Sequence, residues 1–186
     1  MTLLSITDLS LNGLKLIERQ HIKDRRGFLA RLFCAQDLAS IGWYKPIAQI
    51  NHTLTTEPGA IRGMHYQRSP HAEMKLVSCI RGEVWDVAVD VRVDSPTFLH
   101  WHAEFLSRDN GRALLIPEGF AHGFQALTKN VELLYCHSTA YNSGFEAGLN
   151  PCDPSLAIAW PLAISEISIR DTNFPFIENR FQGEQL

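Results

Sequence analysis

The chain of 186 residues is 45% hydrophobic and 20% charged with a formal net charge of -3, the balance of an ordinary soluble globular protein able to bury one core. It carries no run of basic residues to neutralise a line of phosphates, which argues against nucleic acid as a partner, and no apolar run long enough to cross a bilayer. The start, MTLLSITDLSLNGLKL, lacks a basic leader region, so a cytoplasmic protein is expected.

In chain order, LKLIERQHI at 14–22 alternates as a strand, Asp24 to Gly27 reads as a turn, and FLARLF begins a second strand. Asp37 to Ile41 has room for one helical turn, which Pro46 ends. PIAQINHTLT then resumes as a strand in which Gln49 and Asn51 share a face. Glu57-Pro58-Gly59 turns the chain into IRGMHYQRSPHAEMK at 61–75, which concentrates an arginine, a histidine, a glutamine and a lysine. As a strand it puts Ile61, Gly63, His65 and Gln67 on one side and Arg62, Met64 and Tyr66 on the other. A bulge at Gly63 would let Arg62 and His65 reach one cavity.

KLVSCI follows, then a turn at Arg81-Gly82 and EVWDVAVDVRV. There Val87, Val89 and Val91 share one face and Asp86, Ala88, Asp90 and Arg92 the other, so one side packs on a core while the other meets solvent or a polar cavity. FLHWHAEFL, RALLIP, GFQAL and VELLYCHSTAY continue the series, with Tyr135 on the face of Val131 and Leu133. The tail after Asn150 is richer in proline and turns, with a short helix expected around Ser165 to Ile169. Cys34, Cys79, Cys136 and Cys152 stand far apart without a CxxC pair and read as reduced, packed thiols. Short strands at regular spacing imply an antiparallel sandwich or barrel. One domain is expected, with N-terminal strands over about 1–45, a barrel core over about 46–146 and an extension over about 147–186.

One spacing is specific. Gly111, Pro117, Gly119 and His122 fit G-x5-P-x-G-x2-H, the second signature of the cupin barrel. It predicts a mainly all-β chain folded as a cupin-type jelly-roll β-barrel with a few short peripheral helices, and His122 near the mouth. The first signature would supply two histidines one residue apart and a glutamate, which with His122 build a metal site. Gln67 stands where the second histidine would be, an amide with weak affinity for transition metals, so no metal is expected. Glu73 is the carboxylate that would have to join His65 and His122.

Longer motifs run nearly end to end: DRRGFLARLF at 24–33, QINHT at 49–53, RGMHYQ at 62–67, Lys75, GEVWDVAVDVRVDSPTF at 82–98, IPEGFAHGFQAL at 116–127, Tyr135, YNSGFE at 141–146, DPSLAIAWP at 153–161 and SIRD at 168–171. In these the chain resembles the dTDP-4-dehydrorhamnose 3,5-epimerases of nucleotide-sugar metabolism. The resemblance implies a homodimer that uses no metal or cofactor, takes a nucleotide-sugar substrate and inverts the carbons flanking a 4-keto group. By the same resemblance His65 is the base, Asp171 orients it, Lys75 stabilises the enolate oxygen and Tyr135 is the acid on the far side. Gln49, Asn51, Arg62, His122, Tyr141, Glu146 and Arg170 fall at positions around the sugar and diphosphate, and Arg26 would face phosphate.

One region departs. The family's opening motif, DxRGxFxE, uses its aromatic and its glutamate to hold thymine, and here Leu29 and Arg31 occupy those places. An aliphatic side chain offers no stacking face and an arginine reverses the charge, so the nucleotide is the least determined part of the expected substrate. The function expected is inversion at C3 and C5 of dTDP-4-dehydro-6-deoxy-D-glucose, giving dTDP-4-dehydro-L-rhamnose. The alternatives are inversion at one position, or a CDP-, GDP- or UDP-linked sugar. A non-catalytic nucleotide-sugar-binding cupin is disfavoured by the presence of His65, Lys75, Tyr135 and Asp171, and a metal-dependent cupin oxygenase by Gln67.

Overall fold

The computed structural model describes residues 3–178 and 181–186, so positions 1 and 2 of the expected N-terminal strand region lie outside the described residues. In chain order the elements are β1 (Leu4–Asp8), β2 (Lys15–Arg19), β3 (Ile22–Asp24), β4 (Gly27–Leu29), α1 (Ala35–Ala39), β5 (Gln49–Thr55), β6 (Ile61–Gln67), β7 (Lys75–Arg81), β8 (Glu83–Asp90), β9 (Trp101–Ser107), β10 (Arg112–Ile116), β11 (Phe120–Ala126), β12 (Val131–His137), β13 (Glu146–Gly148) and α2 (Ile169–Thr172). Two antiparallel sheets face each other, one in the order β1-β2-β10-β7-β12-β5 and the other β13-β6-β11-β8-β9, while β3 and β4 form a separate ribbon. This is the jelly-roll sandwich that the cupin spacing predicts.

Strand alternation builds three apolar layers. Between the sheets, Val77, Leu114, Ile116, Val131, Leu133 and Tyr135 of one meet Val84, Ala88, Phe120 and Phe124 of the other. Outside the six-stranded sheet, Ala113 and Leu115 pack with Ile17, Leu38 and Trp43, so β10 after Arg112 is buried on both faces and reads as the unbroken apolar run ALLI. Outside the five-stranded sheet, Val87, Val89 and Val91 lie under Leu149 and Leu156 of the tail. The Trp101 indole donates to Leu156 O at 2.9 Å and the Trp160 indole to Pro151 O at 2.9 Å, pinning that cover in place. Each fully buried aliphatic or aromatic side chain contributes about 1.5–3 kcal/mol. The tail is therefore a structural layer and not an appendage.

Several local expectations shift. LKLIERQHI is not one strand: β2 ends at Arg19, and Ile22–Asp24 pairs with Gly27–Leu29 instead. FLARLF leaves strand geometry after Leu29, where the buried Arg19 guanidinium donates to Leu32 O at 3.0 Å and holds the segment against the sheet. The first helical turn comes two residues early, at Ala35–Ala39. The tail helix begins only at Ile169, because Ile61 N–H takes Glu166 O at 2.9 Å, Ile167 bridges Ile61 in parallel, and the Ser168 hydroxyl caps the turn by accepting from Asp171 N–H. Cys79 and Cys136 are buried and Cys34 half-buried, but Cys152 is exposed; all four are free.

Candidate active site

The bulge expected at Gly63 is present. On β11, His122 pairs with His65 and Phe124 with Arg62, so three steps along β6 match two along β11. The extra residue turns Arg62 and His65 into the same cavity. Gly63 has φ +126°, and a Cβ there would stand 2.4 Å from Gly123 Cα and 2.8 Å from His122 O, both backbone atoms that cannot swing aside. Gly63→Ala is expected to destabilise the fold by at least about 2 kcal/mol, measured by urea unfolding, because overpacking and an unfavourable φ add. A variant as stable as the parent would remove the close-approach argument.

The cavity, about 300 Å³, lies between the two sheets at their polar end. A second cavity of about 600 Å³ shares Arg62, His65 and Arg170 with it. From the five-stranded sheet comes His65, with Nε2 2.7 Å from Asp171 Oδ1. Asp171, 2% exposed, also accepts from Gly63 N–H at 3.2 Å. Burial works to raise its pKa, but the hydrogen bond and charge of His65, with Gly63 N–H, outweigh it and hold the group down at about 2. A permanent carboxylate fixes the proton on Nε2 and leaves Nδ1 as the basic nitrogen. The Arg170 guanidinium lies beside the ring, 2.9 Å from Nε2, and is tied at 3.1 Å to Glu146, which accepts from the Tyr141 hydroxyl at 3.0 Å.

From the six-stranded sheet come Lys75 and Tyr135. Lys75 is 5% exposed; its Nζ donates to His65 O at 3.0 Å and pairs with Glu73 Oε1 at 3.1 Å. Tyr135 is 9% exposed. Burial pushes its hydroxyl far above the usual tyrosine range and the charge of Asp86 adds to this, against the smaller opposing effects of Thr53 and Arg62, so it stays a proton donor. His122 meets the Tyr135 ring edge-on at 5.9 Å and is itself held by buried Asp86 at 2.9 Å. Arg62 is braced by Thr55 Oγ1 at 2.9 Å and Leu54 O at 3.2 Å.

Of the residues singled out in the sequence, Gln49, Asn51, Arg62, His65, Lys75, His122, Tyr135, Tyr141, Glu146 and Arg170 line this one cavity, and Asp171 backs His65 from behind. Arg26, Leu29 and Arg31 do not reach it. Arg26 pairs with Asp24 at 2.6 Å, Leu29 is 67% exposed and Arg31 pairs with Asp37 at 3.1 Å, all on or next to the separate ribbon. Phe28 stacks on His21 at 4.2 Å instead of facing the site.

Gln67 is locked: its Nε2 donates to Glu73 at 2.7 Å, to His71 O at 3.2 Å and to Ala140 O at 3.3 Å, and its Oε1 accepts from Asn142 N–H at 2.6 Å. Among the described residues no group of three His, Cys, Asp or Glu is set to hold a metal ion. Two residues of the floor are not picked out by motif. His137 lies two positions beyond Tyr135 on the same strand face, a period-two signal, and Glu73, weighed above only as a metal ligand, is an ion-pair partner of Lys75.

Glu73 is buried, which acts to raise its pKa, but the charge of Lys75 and the His137 contact prevail and bring it to about 2. A depressed carboxylate contributes stability above its unfolded value of about 4.5, and that stability is lost as pH falls toward 2. The contribution is up to about 3 kcal/mol. Glu73→Gln is therefore expected to unfold at lower urea than the parent at pH 7, with the gap closing as pH falls from about 5 toward 2. A gap that is constant with pH would show that the carboxylate's charge is not what stabilises.

Residues 8–179 match the profile of the family described as dTDP-4-dehydrorhamnose 3,5-epimerase. The chain belongs to that family. Among curated members of the family, the dTDP-4-dehydrorhamnose 3,5-epimerase of Shigella flexneri is 42% identical over 151 residues, 81% of this chain and 83% of that one. A crystal structure of the Bacillus anthracis 3,5-epimerase with TDP and pyrophosphate bound superposes with a TM-score of 0.90 at 35% identity, covering 94% of this chain and 99% of that chain. The Legionella pneumophila dTDP-6-deoxy-D-glucose-3,5-epimerase, in complex with dTDP-4-keto-L-rhamnose, gives a TM-score of 0.90 at 35% identity over 97% and 98%. The likeness to members of the 3,5-epimerase family thus extends over nearly the whole length of the chain.

Proposed function

We propose that this protein inverts C3 and C5 of dTDP-4-dehydro-6-deoxy-D-glucose to give dTDP-4-dehydro-L-rhamnose. The observation that carries the proposal is the placement of His65 and Tyr135 on opposite sheets, across one cavity that Lys75 also lines, its ammonium bonded to His65 O. A proton next to a ketone becomes removable when a base meets it from one side and the enolate oxygen is stabilised, and inversion further needs an acid on the other side. His65 Nδ1 takes the proton, the Lys75 ammonium faces the oxygen that gains charge, and the neutral Tyr135 hydroxyl returns a proton from the far wall. Arg62, Arg170 and the Gln49 and Asn51 amides bind the diphosphate and sugar.

The chemistry needs only proton transfer, and Gln67 is fully engaged inside the protein, so no metal or cofactor takes part. Chelation is expected to leave activity intact. A homodimer is part of the same proposal: β5 is an edge strand whose outer face exposes Ile50 and Leu54, and the β3–β4 ribbon exposes Ile22, Phe28 and Leu29. In such a dimer Arg26, which cannot reach its own cavity, would serve the diphosphate in a second copy.

Proton NMR in deuterated buffer with dTDP-, CDP-, GDP- and UDP-4-keto-6-deoxyglucose tests the reading. Deuterium is expected at both C3 and C5 of the dTDP sugar, with no strong preference for dTDP, since the missing stacked aromatic would have contributed about 0.5–1.5 kcal/mol, roughly three- to tenfold, to base selectivity; a preference above about a hundredfold would show that another residue has taken over that role. Label at neither carbon of any sugar would overturn the assignment.

A further inference from the structure

Behind Lys75 runs a chain of polar contacts that passes through His137. Tyr141 N–H donates to Gln49 Oε1 at 2.9 Å, and Gln49 Nε2 donates to Asn51 Oδ1 at 3.0 Å. Asn51 Nδ2 stands 3.4 Å from His137 Nε2, and His137 Nδ1 stands 3.5 Å from Glu73 Oε2. Glu73 Oε1 then meets Lys75 Nζ at 3.1 Å.

The two ends of this chain are fixed by chemistry. A backbone N–H can only donate, and an ionised carboxylate can only accept. With a donor at one end, Gln49 must turn its oxygen toward Tyr141 and its nitrogen toward Asn51. Asn51 must then turn its oxygen to Gln49 and its nitrogen to His137. His137 is left one consistent state, unprotonated at Nε2 and protonated at Nδ1, the nitrogen that faces Glu73 at 3.5 Å. Glu73 is held as a carboxylate by Lys75, so the direction of the relay is not reversible by a change at that end.

We infer that His137 is a positioning residue that holds the Gln49 and Asn51 amides in one facing from the end opposite Tyr141, and so fixes the pattern of donors and acceptors that the cavity wall offers to the sugar and diphosphate. The inference rests on the function proposed above only for the identity of the ligand. An amide free to flip would present the wrong atom half the time. One held at both ends presents the same atom to every substrate molecule, which is how a site discriminates hydroxyl positions on a sugar.

Two substitutions separate this role from simple packing, because His137 also stacks on Tyr135 at 6.1 Å. His137→Phe keeps a ring for that stacking and removes both nitrogens. His137→Gln removes the ring but keeps an acceptor for Asn51 and a donor for Glu73. Calorimetric binding of dTDP-glucose, which has no ketone and is not turned over, is expected to weaken about two- to tenfold in His137→Phe, the worth of one hydrogen bond, and to stay within about twofold in His137→Gln. Parent-like binding by His137→Phe, or a His137→Gln variant as weak as His137→Phe, would overturn the inference.

Nitrogen NMR of the parent protein supplies a readout that needs no variant to fold. The His137 ring is expected to carry its proton on Nδ1, and a proton on Nε2 would equally sink the relay. Failure of the epimerase reading looks different, since it would show as absence of deuterium exchange in the parent while the tautomer and the Phe-Gln contrast stayed as described.

Discussion

Replacing His65 with alanine is expected to abolish turnover and solvent exchange of the substrate protons together, a loss of roughly 10³ to 10⁴. The expectation follows from the arrangement around the ring. Asp171 is buried and ionised at every working pH, and no other imidazole in the cavity has a carboxylate behind it on the β6 wall. His122 belongs to Asp86 and His137 to Glu73, and neither is placed to substitute. Asp171→Asn offers a finer test. It keeps the shape but lets the amide stabilise the wrong tautomer, so binding should persist while the rate falls by at least about 10². Exchange at the parent rate in His65→Ala would remove His65 as the base, and exchange at the parent rate in Asp171→Asn would show that the carboxylate only supports the fold.

Tyr135→Phe should divide the reaction in two. The substitution deletes one hydroxyl while keeping the ring that packs with Val131, Leu133 and Phe124 in the interior layer. Substrate should bind and His65 should still remove its proton. The enolate then regains a proton only from His65, on the face it left, so deuterium enters C3 or C5 of recovered substrate while epimer formation falls by roughly 10² to 10⁴. Epimer made at near the parent rate would show that Tyr135 is not the acid and would move attention to Tyr141, whose hydroxyl is bonded to Glu146 at the cavity wall.

The barrel is legible in the sequence because its strands are short, alternating and punctuated by turn residues, and because four residues of one spaced signature fall where the β10–β11 corner needs them. The bulge at Gly63 is legible for the same reason: a lone glycine in an otherwise good strand has few other uses. What the pattern does not carry is anything set by long-range partners. The valine face of β8 looks like a surface on which a core must pack, but only the fold shows that the core is the tail, from Leu149 and Leu156.

The start of α2 is decided by Ile61 reaching for Glu166 across about a hundred positions, which no local propensity encodes. His137 and Glu73 belong to no motif and declare themselves only when β7 and β12 pair. The ribbon residues Arg26, Leu29 and Arg31 illustrate the opposite limit: the family motif names them as contacts, yet nothing in a single chain brings them to the cavity.

The proposed base and its orienting carboxylate lie 106 residues apart in the chain. Without the tail that carries Asp171, no carboxylate would stand at Nε2 to select which ring nitrogen carries the proton. The tail that covers the valine face also places Asp171 against Gly63 and His65, so under the proposed mechanism it completes the base. On that mechanism, completing the fold and completing the site depend on the same segment of the chain.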